Sequence, residues 1–429
     1  IGQSTEAGFS SEPTATESAP TMVSSVDIAV IGAGAAGIAA ARALRAAGAS
    51  HIVLEAAARL GGRALTDHSL GYALDLGCTW LHSADRNPLA DGPPAQYGQD
   101  APRSRLFRDD LGRWASPAEE TAHDAYIARC EAAVEAVAAR GEDPPVADAV
   151  PDDPDWRRHF EWWCGAYTSV GSRDLGALDW ARYVDTDRNW TVPHGMGAHI
   201  VRRAAGLAIR RETPVLALDR SGPRLRLLTP AGVLEARAVI LTAGTEALKR
   251  MRFTPALPQA TAAAIHRLPL GRANKVLVRF DRLDPDWPSA RSGVLSVRVG
   301  RFGRPVAESF LEAGAVRALE AEGERAEIAF VLEQYATMFG SGVRRRVRAA
   351  RASTWGTTPW IWGAYSAMAP GGGDPRADLA RPVEDRLFFA GEATHPTFFT
   401  AAHGAWASGE RAAAEALAAM RDADRRGRG

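Results

Sequence analysis

Three glycines and one acidic residue near the N-terminus have the types and the spacing of a dinucleotide site. Gly32, Gly34 and Gly37 directly follow an apolar, β-branched run at residues 26–31 and open onto an alanine-rich stretch. This spacing serves a tight turn, close approach of backbone to a pyrophosphate, and helix–strand packing. Glu55 ends a second apolar run about twenty residues on, where a carboxylate accepts hydrogen bonds from a ribose. The pattern therefore predicts strand, turn, helix and strand, with the anion at the helix N-terminus.

The residues after Glu55 narrow the choice of dinucleotide. Arg59, Gly62 and Arg63 belong to the pattern E-x3-R-x-G-G-R, which offers backbone amides and guanidinium groups to a diphosphate. A plain NAD site does not require such a second cluster. The pattern resembles that of the FAD-binding flavoprotein amine oxidase family, and the resemblance implies that FAD is the cofactor.

The C-terminal part of the sequence resembles the same family. An apolar run at residues 387–390 is followed by Gly391 and Glu392. A glycine and an acid at the carboxyl end of a strand suit a ribityl or phosphate group. Ala401 and Ala402 lie where the last helix is predicted to begin, so that its free amides and positive dipole end face the flavin.

Two further segments are similar to the parts of this family that carry the chemistry. Lys275 lies in G-x-x-x-K-V, as in polyamine oxidases and flavin-dependent histone demethylases. The resemblance implies that its amine holds a water against flavin N5 and assists the reaction with O2. Tyr365 lies in G-x-Y-S, with Trp355 upstream. By the same resemblance, Tyr365 forms one side of an aromatic cage for the amine and Trp355 lies against the flavin.

Other contacts are implied by the resemblance position by position. The segment G-x-x-W-x-H is the part of the family that crosses the flavin, and its glycine permits the close approach. Gly77, Thr79 and Trp80 are then expected to contact FAD, and His82 is expected to face the substrate cavity. Val215 matches the valine whose backbone contacts adenine.

At two positions the sequence departs from the monoamine oxidases. The residue before Tyr365, which in those enzymes is a cysteine bonded to the flavin, is Ala364. We therefore expect noncovalent FAD. The second aromatic residue of the cage falls at Ala401, and four nearby aromatic residues are candidates to compensate: Phe398, Phe399, Trp360 and Trp406.

The resemblance as a whole implies an FAD-dependent amine oxidase that acts on a small-molecule amine and O2. In this chemistry a hydride passes from the amine α-carbon to flavin N5. The imine hydrolyses to aldehyde plus amine or ammonia, and O2 regenerates FAD with release of hydrogen peroxide. Polyamine and monoamine substrates both remain open. An L-amino acid oxidase, which needs an arginine for the substrate carboxylate, is one alternative, and a catalytically silent flavin-binding interaction module is another.

Positioning these residues requires two domains, and 429 residues suffice for two hydrophobic cores. The predicted fold class is α/β, a two-domain flavoprotein with a Rossmann-like FAD-binding domain. Its partner is an α+β substrate-binding domain with a mixed sheet flanked by helices. The predicted segments are a disordered leader at 1–25, the discontinuous FAD-binding domain at 26–83, 196–266 and 354–420, the substrate-binding domain at 84–195 and 267–353, and a solvated tail at 421–429.

Local patterns predict individual elements of this fold. Strands are expected at residues 72–76 and 213–218, and an irregular excursion at 84–115. Helices are expected at 117–140, 313–322, 326–338 and 403–420. The aromatic concentration at 156–167 is predicted to be mainly core, although it lies where this family builds its substrate tunnel.

Composition argues against several classes of function. Lys+Arg and Asp+Glu are both 51, so charge gives no reason to expect nucleic acid or an anionic membrane as a partner. Cys78, Cys130 and Cys164 are widely separated, and we expect neither a metal site nor a disulfide framework. No apolar run is long enough for a transmembrane segment. We expect a cytoplasmic monomer or homodimer, with export after signal removal as the alternative.

Overall fold

The computed structural model describes residues 24–99 and 104–427 of the chain, and it is organised around two large β-sheets. One sheet has eight strands and the other has seven, and two small sheets accompany them. Helices cover the large sheets. This architecture is the mixed α/β arrangement expected from the sequence.

The strands and α-helices of the described residues are numbered here in chain order. The strands are β1 (Ser24–Ile31), β2 (His51–Leu54), β3 (Thr66–Asp67), β4 (Leu74–Asp75), β5 (Trp80–Leu81), β6 (Gly98–Gln99), β7 (Arg105–Arg108), β8 (Arg113–Trp114), β9 (Trp190–Thr191), β10 (Ile209–Arg210), β11 (Ala217–Asp219), β12 (Leu225–Thr229), β13 (Gly232–Leu241), β14 (Arg252–Thr254), β15 (Asn274–Phe280), β16 (Ala290–Arg291), β17 (Leu295–Val299), β18 (Val306–Leu311), β19 (Val347–Ala352) and β20 (Leu387–Phe389). The helices are α1 (Ala35–Ala46), α2 (Pro117–Ala139), α3 (Val146–Ala149), α4 (Arg157–Thr168), α5 (Ala177–Arg182), α6 (Met196–Val201), α7 (Thr245–Leu248), α8 (Gln259–Arg267), α9 (Ala313–Leu319), α10 (Glu324–Phe339), α11 (Val343–Arg346), α12 (Pro375–Ala380) and α13 (Ala402–Arg426).

The eight-stranded sheet carries the glycine-rich turn at the end of β1. Its strands β10, β2, β1, β13 and β20 pair with one another in parallel, whereas β12 pairs antiparallel with β13. Ile28 and Val30 pack beneath α1 and α13, whereas Ala29 and Ile31 pack on the opposite side with α8 and α12. Apolar residues on both faces are typical of parallel strands that helices cover on both sides. The carboxyl ends of β1, β2, β13 and β20 therefore meet at one edge, where such sheets bind ligands.

The seven-stranded sheet has the order β19-β15-β18-β17-β16-β7-β8 and is antiparallel except for the β16–β7 pair. Val276 and Val278 of β15 pack with Val331 and Tyr335 of α10 in one buried cluster. Because side chains alternate along a strand, Lys275 points to the opposite face of the sheet. The register of this one strand thus decides where the lysine lies.

Both chain ends depart from the predictions. Ser24 and Ser25 belong to β1 and pair with Leu234 and Glu235 of β13, so the predicted leader at 1–25 ends too late. Its remainder, 1–23, lies outside the described residues. The tail predicted at 421–429 begins too early, because α13 continues to Arg426 with no glycine or proline after Gly409. Residues 428–429 lie outside the described part.

Several internal boundaries are corrected as well. Residues 213–218 form a strand only from Ala217, because Thr213 donates its amide to the carbonyl of Glu55 and Pro214 has no amide hydrogen. Residues 84–115 include three short strands, and β7 joins the seven-stranded sheet. The strand predicted at 72–76 is limited to β4. The helix predicted at 313–322 turns into a 3-10 segment after α9, and α10 begins at Glu324.

The helices α2 to α5 pack together, and Leu106 of β7 in the seven-stranded sheet belongs to their buried cluster. A reciprocal capping box between Ser116 and Glu119 starts α2, which satisfies two of its free amides. Part of the aromatic concentration at 156–167 is core, since Trp156 and Phe160 belong to a buried cluster. In the described part of the chain, no helix combines the length and the apolarity needed to cross a bilayer.

Candidate active site

One cavity of about 1010 Å³ is lined by residues of both large sheets. Of the residues predicted for the site, only Gly37 does not contribute to its wall. The predicted residues that line it are Gly32, Gly34, Glu55, Arg59, Gly62, Arg63, Gly77, Thr79, Trp80, His82, Val215, Lys275, Trp355, Tyr365, Gly391, Glu392, Ala401 and Ala402. The fold thus brings together segments from both ends and from the middle of the chain.

The three glycines of the turn have different surroundings. Gly32 has a backbone φ of +100°, which residues other than glycine rarely adopt. A Cβ at Gly37 would lie 1.9 Å from the carbonyl oxygen of Gly32, whereas a Cβ at Gly34 would meet nothing closer than 3.8 Å. Gly37 therefore permits packing of α1, and Gly34 leaves open space on the side of the cavity.

Glu55 is tied to the same turn. Its carboxylate accepts hydrogen bonds from the amides of Ala33 at 2.6 Å and Ala57 at 2.8 Å. A carboxylate oxygen has two acceptor positions, so each oxygen can still accept a bond from a ribose. The turn thus orients the carboxylate that the sequence predicted for a ribose.

An ion pair joins the two ends of the predicted cofactor site. Arg63 Nη1 lies 2.9 Å from Glu392 Oε1. Glu392 also accepts from the hydroxyl of Ser366 at 2.7 Å and the amide of Thr400 at 3.0 Å. Burial alone would raise the pKa of Glu392, but the guanidinium groups of Arg63 and Arg376 lower it below the usual value. The carboxylate is therefore ionised and joins four segments of the chain.

This network continues into a buried ion pair that sequence reasoning missed. Arg376 donates to both carboxylate oxygens of Asp179 at 2.8 Å and to the hydroxyl of Ser366 at 2.9 Å. Its guanidinium also lies 3.7 Å from the ring centroid of Phe399. The side chains of Arg376 and Asp179 are only 1% and 2% exposed. Neither residue belongs to a recognisable motif, so only the fold shows their pairing.

Lys275 reaches from β15 to the segment that follows β4. Its Nζ donates to the carbonyl of Gly77 at 2.5 Å and also contacts the hydroxyl of Thr79. The carbonyl of Asp75 lies 3.5 Å away, and the centroid of the Trp80 ring lies 5.1 Å away. Burial lowers the pKa of Lys275 to about 8, with a partial offset from nearby carboxylates. The amine thus loses its proton at a lower pH than an exposed lysine does.

Asp75 holds this segment in place, and sequence reasoning missed it. Its buried carboxylate accepts from the hydroxyl of Thr66 at 2.6 Å and from the amides of Met196 at 2.8 Å and Gly197 at 3.1 Å. Burial raises the pKa of Asp75, and these hydrogen bonds act in the opposite direction. The contacts fix the backbone on which Lys275 rests.

Aromatic residues form much of the remaining wall. The hydroxyl of Tyr365 donates to the carbonyl of Ala166, which fixes the ring. Further aromatic residues that line the cavity are Trp162, Trp163, Tyr167, Trp180, Tyr183, Phe310, Trp360 and Trp362. Of the four candidates for the second cage position, only Trp360 belongs to this wall. Phe398, Phe399 and Trp406 pack elsewhere, against His395, Tyr183 and Glu410.

His82 lies at the same cavity and is oriented by two polar neighbours. Its Nδ1 is 2.7 Å from Asn189 Oδ1 and 3.7 Å from Asp185 Oδ2. With oxygens as neighbours, the proton is favoured on Nδ1. This placement agrees with the expectation that His82 faces the cavity, while its part in substrate binding stays a prediction.

One side of the cavity carries four carboxylates, Glu131, Glu135, Asp185 and Asp187, which we call the acidic wall. Among the described residues no cation lies within ion-pair distance of Glu131 or Glu135. Burial raises the pKa of Glu131, and repulsion by Glu135 and Asp187 raises it further. Sequence reasoning missed this wall. The available signal was the spacing of Glu131 and Glu135, four residues apart on the predicted helix, which places both on one face.

The cavity also meets the requirements of a flavin dinucleotide. It reaches the first turns of α1 and α13, where Ala35, Ala36, Ala402 and Ala405 line it. Neither helix has a side-chain cap on its first amides. Free amides at a helix N-terminus bind anions such as a pyrophosphate. The donors and the open space at Gly34 therefore fit the phosphate part, and the wide aromatic region fits a ring system.

Comparison with known proteins decides the family. Residues 104–417 match the family described as flavin containing amine oxidoreductase, and residues 30–91 match a NAD(P)-binding Rossmann-like domain. The chain belongs to the flavin-containing amine oxidoreductase family. Its cofactor is accordingly FAD, and the chain is an enzyme. Membership argues against a catalytically silent interaction module.

Relatives of this amine oxidoreductase include plant enzymes. Polyamine oxidase 4 of Oryza sativa subsp. japonica is 28% identical over 433 residues, which cover 90% of this chain and 88% of the relative. Lysine-specific histone demethylase 1 homolog 1 of Oryza sativa subsp. japonica is 26% identical, with 92% of this chain and 52% of the relative covered.

Solved structures have the same fold. Wild-type putrescine oxidase bound to putrescine matches with a TM-score of 0.77 and 23% identity, over 92% of this chain and 100% of that chain. Cyclohexylamine oxidase from Brevibacterium oxydans matches with a TM-score of 0.77 and 20% identity, over 92% of this chain and 99% of that chain.

The buried ion pair gives a prediction about stability. Arg376→Met would leave Asp179 buried without its cation, and we expect a loss of ~3–5 kcal/mol in the free energy of unfolding. Urea denaturation of the holoenzyme measures this loss. Arg140→Met, which removes an exposed partner of Glu142, is the matched control and should not shift the midpoint. Equal midpoints for the two variants would contradict the prediction.

Proposed function

We propose that this enzyme oxidises diamines or polyamines, with O2 as the final oxidant. The products are an aldehyde, an amine or ammonia, and hydrogen peroxide. The observation that carries this proposal is the acidic wall, which lines the same cavity as Lys275 and Tyr365. When bound, FAD supplies the two-electron acceptor for a hydride from the amine α-carbon. The similarity to plant polyamine oxidases supports the same substrate class.

The acidic wall favours a second positive charge on the substrate. Glu131 has carboxylate neighbours and, among the described residues, no paired cation, so the repulsion is uncompensated. An ammonium group placed there gains Coulomb attraction and relieves this repulsion. A substrate with amines at both ends or along its length can contribute that ammonium while another nitrogen reacts.

The aromatic wall suits the reacting nitrogen. Tyr365, Trp180 and Tyr183 present mainly apolar surface to the cavity. An apolar environment disfavours the ammonium form of an amine. The neutral amine keeps the lone pair that assists departure of the hydride, so no protein base is required for this step. The aromatic wall thus favours the neutral amine at the reacting end of the substrate, and the acidic wall favours the ammonium form at the other end.

Lys275 provides a cationic donor in the wall of the same cavity. Its Nζ is held by the carbonyl of Gly77 and the hydroxyl of Thr79, so its position is fixed before O2 arrives. A fixed positive charge stabilises the negative charge that develops when O2 accepts electrons. The proposed role of Lys275 is therefore in the oxidative half of the reaction, and Tyr365 acts in the orientation of the amine.

An L-amino acid oxidase is the second candidate because arginines also line the cavity. Arg298 and Arg301 belong to its wall, and a guanidinium can bind a substrate carboxylate. However, Arg301 Nε already lies 3.2 Å from Glu308 Oε1, so its charge is offset. The acidic wall, in contrast, repels a carboxylate.

A substrate panel separates the two candidates. The holoenzyme is assayed for peroxide release with diamines, polyamines, monoamines and L-amino acids. We expect the highest kcat/KM for substrates with two or more amines, since only these engage the acidic wall while one nitrogen reacts. A clear preference for L-amino acids would replace the present proposal with the second candidate.

Neutralising one carboxylate should affect only substrates that carry a second charge. For Glu131→Gln we expect KM for a diamine to rise about fivefold, which corresponds to loss of ~1 kcal/mol of ion pairing. KM for the monoamine of equal length should change little. Glu142→Gln, which removes an exposed carboxylate outside the cavity, is the control. Equal effects on diamine and monoamine would show that Glu131 does not bind the second amine.

The pH dependence of reoxidation tests Lys275. Because its pKa is lowered to about 8 by burial, the ammonium form is present below that pH and is lost above it. We expect the rate at which O2 reoxidises the reduced enzyme to fall as pH rises through about 8. Lys275→Met should be slow at every pH, with much less effect on FAD binding.

The other lysine of the chain, Lys249, offers the matched control. Lys249→Met removes an amine that pairs with Glu246 outside the cavity wall and should preserve the pH profile. Stopped-flow measurement of flavin absorbance gives both half-reactions separately. Unchanged reoxidation in Lys275→Met would refute the assigned role.

A further inference from the structure

Asn274 lies immediately before Lys275 at the start of β15, and it is buried. Its side-chain Oδ1 accepts from the backbone amide of Trp355 at 3.1 Å and from the hydroxyl of Ser353 at 3.4 Å. The same hydroxyl oxygen accepts from the backbone amide of Lys275 at 2.8 Å, and the amide of Ser353 donates to the carbonyl of Lys275 at 2.9 Å. One side-chain amide therefore holds both Lys275 and Trp355 by their backbones.

Lys275 and Trp355 both reach the segment that follows β4. The indole Nε1 of Trp355 donates to the carbonyl of Leu76 at 3.2 Å, and the ammonium of Lys275 donates to the carbonyl of Gly77 at 2.5 Å. Both side chains also line the cavity of the candidate active site. The position of the side-chain amide therefore decides where two residues of the cavity wall meet this segment.

Two acidic residues fix the orientation of the amide. Glu327 of α10 is 0% exposed, and its Oε1 accepts from Asn274 Nδ2 at 2.7 Å. Glu320 Oε1 lies 3.5 Å from the same nitrogen. Carboxylate oxygens accept hydrogen bonds and an amide nitrogen donates them. The nitrogen of Asn274 therefore faces the acidic residues, and its oxygen faces the donors of Ser353 and Trp355.

Glu327 is the more specific partner of the amide. Glu320 also forms an ion pair with Arg272 at 3.2 Å, so a substitution of Glu320 would disturb several contacts. Burial raises the pKa of Glu327 to about 7, and repulsion by Glu320 and Glu324 acts in the same direction. A carboxyl group keeps an acceptor oxygen with or without its proton, so Glu327 can hold the amide in both forms.

We propose that Glu327 is a positioning residue for the oxidative half-reaction: it fixes the side-chain amide of Asn274, and this amide fixes Lys275 and Trp355 in the cavity wall. The proposal rests on the proposed role of Lys275 in the reaction with O2. Glu327 does not belong to the cavity wall, so its effect passes through Asn274.

Reoxidation of the holoenzyme, reduced with stoichiometric dithionite, measures this step without any amine. For Glu327→Leu, which removes the acceptor, we expect reoxidation to be about tenfold slower, the value of roughly one hydrogen bond. Glu327→Gln removes the charge but keeps an acceptor oxygen, and its rate should stay within about twofold of wild type. Glu333→Leu, at an exposed position of the same helix, is the matched control.

Two outcomes of this experiment would overturn the proposal. One is reoxidation of Glu327→Leu at the wild-type rate with FAD fully bound. The other is an equal loss of rate in Glu327→Gln and Glu327→Leu, because the charge of Glu327 rather than its hydrogen bond would then affect the reaction.

Reversal of the hydrogen bond provides a rescue. Asn274→Asp places a carboxylate against Glu327 and should slow reoxidation about tenfold. Adding Glu327→Gln gives the new carboxylate a donor, so the double variant should recover to within about threefold of wild type. This pair of variants decides the question even where Glu327→Leu fails to fold. A double variant that stays as slow as Asn274→Asp, or that folds less well than Asn274→Asp, would refute the proposal.

Lysine labelling separates this proposal from the proposed role of Lys275. The chain has only two lysines, Lys249 and Lys275, so holoenzyme with isotope-labelled lysine Cε gives two side-chain NMR signals, and Lys275→Met identifies one of them. The Lys275 signal should shift in Glu327→Leu and in Asn274→Asp and return in the double variant, whereas the Lys249 signal should stay in place. This result is expected even if Lys275→Met reoxidises normally. A Lys275 signal that stays in place in every variant would refute positioning by Glu327.

Discussion

The ion pair between Arg63 and Glu392 is the constraint on which this site depends. The two residues are 329 positions apart in the sequence, yet they form an ion pair in the wall of the cavity. A buried carboxylate is costly without a cation and hydrogen bonds, so Glu392 requires Arg63 and Ser366 to be in place. Through Ser366 the requirement extends to Arg376 and Asp179. The site can therefore form only when both ends of the chain have assembled.

The parts of the site that depend on neighbouring sequence positions could be predicted from the sequence. Gly32, Gly34 and Gly37 have roles in backbone geometry that their spacing alone reveals, and the surrounding contacts agree with those roles. The alternation of β15 similarly places Lys275 opposite the buried valines. The family, the cofactor and the fold class were predicted and are confirmed. The roles of individual site residues and the division into domains stay predictions.

Features that depend on tertiary contacts could not be predicted. Asp179 and Arg376 are 197 residues apart, and nothing near either residue indicates a partner. The acidic wall combines a helix face with a loop after α5, and only the fold places the two together. The strand expected at 213–218 begins only at Ala217 for a related reason, since the amide of Thr213 donates to the carbonyl of Glu55. The second cage position likewise depended on which aromatic side chain the fold turned toward the cavity.

Lys275 connects two parts of the structure through its hydrogen bonds. The lysine belongs to the seven-stranded sheet, whereas the oxygens that hold its ammonium belong to residues 75–79, just beyond the glycine-rich turns. The side chain therefore links the seven-stranded sheet to the segment at residues 75–79. Any displacement of this segment relative to the sheet would move the ammonium group, so the position of this charge depends on how the two parts of the enzyme pack together.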